Sequence, residues 1–164
     1  VSVNDIPAKV EFEKPSAEPW RIGSATVRRI ALNHPGSAQG FRIDDASGAS
    51  VAYLTDNELV RGAAGKAALD DLARFAANTG LLIHDSQYLD SDMPDKYGWG
   101  HSVIDDVVTL GARAEARGVV LFHHDPNRTD DDLDAIKVRA AALLAEQAPE
   151  AELCVAIEGQ SIEL

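Results

Sequence analysis

HSVIDDVVTLGARAEARGVVLFHHD, residues 101–125, packs a helix, a stop, a buried strand and a reactive ending into one short stretch. Val103, Val107, Leu110 and Ala114 fall on one helical face over 102–117. Ser102 is placed to cap that helix and Gly118 to end it. Val119–Phe122 is apolar without alternation, the pattern of a strand covered on both faces. It runs straight into His123-His124-Asp125. The same unit occurs just upstream. Residues 66–78 carry Leu69, Leu72, Ala73 and Ala76 on one face, with Gly80 as a stop, and the apolar run Leu81–Ile83 ends in His84-Asp85. Downstream, Thr129-Asp130-Asp131-Asp132 sets negative charge at the positive end of a helix over 129–147. Its Leu133, Ile136, Ala140, Leu143 and Leu144 face inward, and Leu153–Ile157 is a last strand. Helix followed by apolar strand, three times over, predicts an α+β chain of mixed α/β layers.

Toward the amino terminus the rhythm differs. Ala25–Leu32 alternates polar and apolar residues and is rich in Val and Ile. NHPGSAQG (33–40) and DDASG (44–48) are turn clusters, and Phe41–Asp44 and Val51–Thr55 are short strands between them. These three strands predict an antiparallel meander. Residues 1–24 read as an extended lead-in to a domain over 25–164, with three prolines between Val1 and Pro19. The chain opens on Val1 rather than Met, and the expectation is a chain that continues from a missing amino-terminal half.

Composition bounds the function. At 164 residues, 45% hydrophobic and 26% charged, the chain suffices for one packed domain. Fifteen Lys+Arg against twenty-seven Asp+Glu leave a net charge of −12, which argues against general nucleic-acid binding and against acidic membranes. Metal ions remain compatible with it. One cysteine, Cys154, excludes an internal disulfide framework and reads as a buried structural thiol. No run of 18 apolar residues occurs and no charged-then-apolar leader opens the chain, so a cytoplasmic protein is expected.

Three apolar strands end in residue types that bind metals or move protons: Asp56, then His84-Asp85, then His123-His124-Asp125. Ligands gather beyond the carboxyl ends of strands in α/β sheets, so these ends converge on one candidate site. Each residue also has a plain structural reading. Asp56 caps a turn equally well, and His84 with Asp85 reads locally as a satisfied histidine and a turn acid. One of His123 and His124 is structural, because neighbours on an extended segment point opposite ways. His34 reads as a turn residue and His101 as a loop residue before a helix. No Gly-rich phosphate loop, Gly-x-Ser-x-Gly, His-x-His or Glu-x-x-His occurs, which disfavours P-loop nucleotide binding and serine-hydrolase chemistry.

LNHPGSAQGFRID (32–44), VAYLTDNE (51–58), LLIHDSQY (81–88) and residues 98–136, beginning GWGHS, together resemble the second half of metallo-β-lactamase-fold hydrolases. The resemblance covers about residues 25–136 and leans to the phosphodiesterase branch, ribonuclease Z and the cyclic-phosphate phosphodiesterases. It implies the carboxyl-terminal half of a four-layer αββα sandwich. It implies that His34 binds a first metal, Asp56 bridges two, and His123 binds the second. It implies that His101 is a proton donor or phosphate contact, and that Asp85 orients a ligand or His101. The cofactor implied is two divalent ions, zinc foremost, with manganese and iron as alternatives.

One departure is large. The family's His-x-His-x-Asp-His motif is absent and belongs upstream of Val1. His34, Asp56 and His123 then leave each metal short of the three or four protein ligands of a tight site. The expectation is weak or no metal binding by this chain alone and near inactivity without its other half. For the intact protein, the resemblance implies hydrolysis of a small phosphodiester. The alternatives are a thioester or lactam hydrolase on the same fold, or a non-catalytic module that pairs with another chain. The expected partners are the missing half or a symmetry mate, giving a homo-oligomer, and a small-molecule substrate, with no membrane. A sheet with helices on one side only should expose an apolar face.

Overall fold

The computed structural model describes residues 7–10 and 19–164; the rest of the lead-in, 1–6 and 11–18, lies outside the described residues. Among the described residues seven strands form one sheet in chain order. They are β1 (Trp20–Ile22), β2 (Ala25–Ala31), β3 (Gln39–Asp44), β4 (Ser50–Leu54), β5 (Leu81–Asp85), β6 (Gly118–Phe122) and β7 (Glu152–Val155). β1 to β4 pair antiparallel, and β4 to β7 pair parallel. The meander over 25–55 is present, and β1 adds an edge strand at the end of the lead-in. Helices α1 (Gly62–Phe75), α2 (Ile104–Arg113) and α3 (Asp130–Gln147) make the three crossovers between parallel strands. Among the described residues no helix is long and apolar enough to cross a membrane.

Strand register places all three helices on one face of the sheet. Ala52, Leu54 and Leu82 pack with Leu72, Ala73 and Ala76 of α1 and Leu110 of α2. Val119, Leu121 and Val155 pack with Ile104, Val107 and Val108 of α2 and Ile136, Ala140 and Leu144 of α3. Side chains alternate along a strand, so the residues between these point to the opposite face. That face carries Phe41 and Ile43 of β3, Tyr53 of β4, Ile83 of β5 and Phe122 of β6, brought into neighbouring rows by Phe41↔Tyr53, Tyr53↔Ile83 and Asp85↔Phe122. Ile43, Tyr53 and Phe122 are exposed there, and Ile22 of the edge strand is 64% exposed. The Tyr53 and Phe122 rings lie 6.1 Å apart.

The element boundaries differ from the sequence pattern for local reasons. α1 spans Gly62–Phe75 rather than 66–78. Arg42 Nη1 takes the carbonyls of Phe75 and Ala77 at 2.9 and 2.8 Å, and Asn78 turns left-handed (φ 56°) to break the helix. Asn78 therefore ends it, not Gly80. α2 spans Ile104–Arg113 rather than 102–117. Ser102 does not cap it: its hydroxyl donates to the Asn57 carbonyl at 2.6 Å and accepts from Leu59 N at 3.0 Å. The chain leaves the helix through left-handed Glu115 (φ 52°), and Gly118 opens β6. α3 starts as expected, with Thr129 and Asp132 forming a reciprocal capping box. Cys154 is half-buried rather than buried. Leu153 and Val155 take the helix side, which turns its thiol to the other face, 3.3 Å from Gln160 Nε2.

Candidate metal centre

The parallel half of the sheet aims its carboxyl ends at one place. Asp56 follows β4, Asp85 ends β5 and His123 follows β6. His101 arrives from the loop before α2. One ligand atom from each of Asp56, Asp85, His101 and His123 lies within 4.8 Å of the others. The backbone is left-handed at both Asp56 (φ 59°) and His123 (φ 58°). Non-glycine residues hold that conformation at a cost of about 1–3 kcal/mol, and such strain concentrates at functional sites. Here it turns both side chains off the ends of their strands toward each other. His123 Nε2 and Asp56 Oδ1 are 3.6 Å apart, too far for a hydrogen bond. An imidazole nitrogen and a carboxylate oxygen facing one gap suit a divalent cation.

Asp85 and His101 work as a pair. Asp85 is fully buried, and its Oδ2 lies 2.5 Å from His101 Nδ1. Its Oδ1 accepts from Ser102 N at 3.2 Å and Gln87 N at 3.3 Å. The carboxylate is acceptor-only, so His101 carries a proton on Nδ1 and offers Nε2 outward. The His101 ring lies 4.9 Å from the His123 ring and 6.0 Å from buried Tyr88. Burial raises the Tyr88 phenol pKa above its ordinary range, and nearby Asp125 adds to the effect.

The other sequence candidates divide. His84 is buried inside the sheet, with Nδ1 donating to the Asp85 carbonyl at 2.6 Å and Nε2 accepting from Asn57 Nδ2 at 3.2 Å. Desolvation holds its pKa down, so it stays neutral and structural. His124 is likewise structural: its Nε2 faces the Ala156 carbonyl at 3.3 Å, and burial lowers its pKa. His34 stands beside the group, its ring 5.5 Å from that of His101. Its Nδ1 accepts from Gly36 N at 2.9 Å, which leaves the proton of the neutral ring on Nε2. Ligation through Nε2 requires that bond to be given up.

Two residues the sequence reading passed over build the site's wall. Glu58 is nearly buried, and its two carboxylate oxygens accept from Gly98 N and Gly100 N at 3.0 Å each. Gly100 (φ 90°) lies so close to His34 that a Cβ there would stand 2.2 Å from His34 Cδ2. Asn57 joins the same wall, accepting from Asn33 N at 2.9 Å while donating to His84. The available signal was the run Asp56-Asn57-Glu58, three polar residues at the end of an apolar strand.

No family model matches the chain. In sequence, 107 residues are 27% identical to ribonuclease Z of Pyrococcus furiosus, covering 65% of this chain and 28% of that protein. In structure, the chain superposes on the metallo-β-lactamase fold protein YhfI from Bacillus subtilis with a TM-score of 0.69, at 20% identity, over 87% of this chain and 51% of that one. The chain has the metallo-β-lactamase fold. A diphosphatase of the PhnP family matches 99% of this metallo-β-lactamase-fold chain and 52% of its own, with a TM-score of 0.61 at 19% identity. The chain thus spans about half the length of these two solved structures. Its seven-stranded mixed sheet and three helices are one half of that fold, as the sequence resemblance implied.

Proposed function

We propose that this chain is the carboxyl-terminal half of a metal-dependent hydrolase that cleaves a small phosphodiester. The observation that carries the reading is the convergence of Asp56, Asp85, His101 and His123 at the ends of three adjacent strands. The names of similar proteins, a ribonuclease and a diphosphatase, point to phosphoryl substrates.

Asp56 and His123 are the residues that would hold metal, with His34 joining them if it releases Gly36 N. The donor set of one carboxylate and imidazoles suits zinc, manganese or iron. Bound there, two such ions supply Lewis acidity to a phosphoryl oxygen and acidify water. The remaining work falls to the chain's own groups. Asp85 fixes the His101 ring, and His101 in its imidazolium form, with a proton on each nitrogen, would pass the Nε2 proton to the departing oxygen and be left as the neutral Nδ1–H ring. Glu58 and Gly100 hold the loop that brings His101 in. Asp56 and His123 are too few to close a tight site, so this half alone binds metal weakly. The missing ligands come from the other half of the fold, which packs on the apolar sheet face bearing Tyr53 and Phe122.

The test is metal-dependent hydrolysis of bis(p-nitrophenyl) phosphate by the assembled two-half protein. Activity with zinc or manganese, lost in Asp56→Ala together with metal binding, is the expected result. Tight stoichiometric zinc binding by the chain alone, or hydrolysis indifferent to Asp56→Ala, overturns it.

A further inference from the structure

The loop that delivers His101 carries a second feature that the hydrolase reading leaves unused. Gly98 and Gly100 both have left-handed backbone, and the Glu58 carboxylate holds both of their N–H groups. Gly100 is further wedged against the His34 and Pro35 side chains. Between these two anchored glycines stands Trp99, 56% exposed. A large indole on a backbone fixed from both sides is held in solvent by the fold rather than left there by a loose loop. Lys96 Nζ lies 4.2 Å from the centre of the Trp99 ring and 5.7 Å from that of Tyr88, which in turn borders His101.

Lys96 thus sits at the rim of the metal centre. Among the described residues no carboxylate pairs with its ammonium within 4.0 Å, and its contacts are the two aromatic faces. In a chain of net charge −12, beside Asp56, Asp85 and Asp125, a cation parked on rings instead of a carboxylate is left available to an incoming anion. Its field reaches Asp125, whose pKa is held down chiefly by the Asn127 backbone and in smaller part by Lys96.

We infer that Lys96 and Trp99 form a subsite for a ring-bearing phosphate ester: the Lys96 ammonium holds a phosphate oxygen and the exposed face of Trp99 stacks on the substrate's planar ring. This rests on the hydrolase reading for its setting, and names the class of phosphodiester that site takes. Stacking on one exposed indole favours any planar ring, a nucleobase or a simple aryl group, over an aliphatic ester by about tenfold.

The experiment uses the chain with Trp20→Phe, which leaves Trp99 as the only indole of the two. Its fluorescence is titrated with adenosine 5′-monophosphate, phenyl phosphate, glycerol phosphate and adenosine. Saturable quenching by the monophosphate, about tenfold tighter than by adenosine, is expected, and Lys96→Met should abolish that difference. Glycerol phosphate should bind about tenfold more weakly than either ring-bearing ester. Phenyl phosphate matching the nucleotide assigns the subsite to any aryl ester, and a preference for the nucleotide assigns it to a base. Equal binding of adenosine and its monophosphate, insensitivity to Lys96→Met, or no saturable quenching overturns the subsite. The two readings fail separately. Quenching of the expected form with no metal-dependent hydrolysis by the assembled protein sinks the hydrolase and spares the subsite. Hydrolysis unchanged by Lys96→Met and Trp99→Leu, with no quenching, does the reverse.

Discussion

His101 Nδ1 stands 2.5 Å from the Oδ2 of fully buried Asp85, which leaves Nε2 as the ring nitrogen free of that bond, in a group whose ligand atoms lie within 4.8 Å of those of Asp56 and His123. A ring held this way keeps one tautomer and one orientation while its outer nitrogen exchanges protons. His101→Ala in the assembled protein should therefore slow hydrolysis by about 10²–10⁴-fold, the usual worth of a positioned proton donor. Metal affinity, read by calorimetry, should be unchanged. If His101→Ala strips the metal, His101 is a ligand and not the proton donor.

Glu58 offers a test that needs no metal. Its two oxygens each accept one backbone N–H, so Glu58→Gln keeps the volume but turns an amide donor toward a donor. Leaving a buried N–H unmatched costs about 1–3 kcal/mol. Urea denaturation of the variant should lose stability in that range. A midpoint equal to that of the parent chain would mean the loop does not depend on this carboxylate.

Gly100→Ala and Gly98→Ala separate backbone strain from contact with His34. Both glycines have left-handed φ, 90° and 80°, so both variants carry strain of about 1–3 kcal/mol. Only at Gly100 does the new methyl group meet a neighbour, the His34 ring; at Gly98 the space is open. The Gly100 variant should lose more stability, and the His34 imidazole resonances should move in it alone. Equal losses with an unmoved His34 would break the link between the two.

The sheet's parallel half was legible because its strands are short apolar runs whose ends carry the reactive residues. Asp56, Asp85 and His123 stood out as chemistry placed where strands stop, while His101, a loop residue before a helix, was singled out only by the family resemblance. The meander was legible from alternation and turn residues. The ends of α1 and α2 were not, because tertiary contacts set them. Arg42 comes from β3 to take the last carbonyls of α1, and Ser102 spends its hydroxyl on the Asn57–Leu59 loop instead of on a helix end. Glu58 was hidden for the same reason. A buried carboxylate binding two N–H groups forty residues away leaves no local pattern.

His84 makes acid stability a readout of the core. Burial lowers its pKa below the ordinary 6.5, while the unfolded chain regains the ordinary value. Below pH 6.5 the unfolded state then binds a proton that the folded state refuses. Stability is fully present above that pH and is lost as pH falls through the folded pKa. His124, also lowered, acts in the same direction. The denaturation midpoint should therefore drop as pH goes below 6.5. His84→Gln should flatten that slope at the expense of stability near neutrality. A parent midpoint that stays flat through this interval would contradict a buried neutral His84.

The exposed apolar residues on the far face of the sheet carry the last prediction. Ile22, Ile43, Tyr53 and Phe122 are exposed on the side away from all three helices, while the parallel strands beneath them are built of residues suited to burial on both faces. Stable monomers seldom leave a contiguous apolar patch larger than a few hundred Å². The chain alone should self-associate through this face, and sedimentation velocity should report species heavier than 17.5 kDa. Tyr53→Lys with Phe122→Lys sets two charges on the patch without touching the helix-side core. That variant should sediment as a monomer with an unchanged thermal midpoint, and it should fail to assemble with the other half of the fold. A wild-type chain that stays monomeric as its concentration is raised would show that the face needs no cover. The pairing proposed for it would then fall.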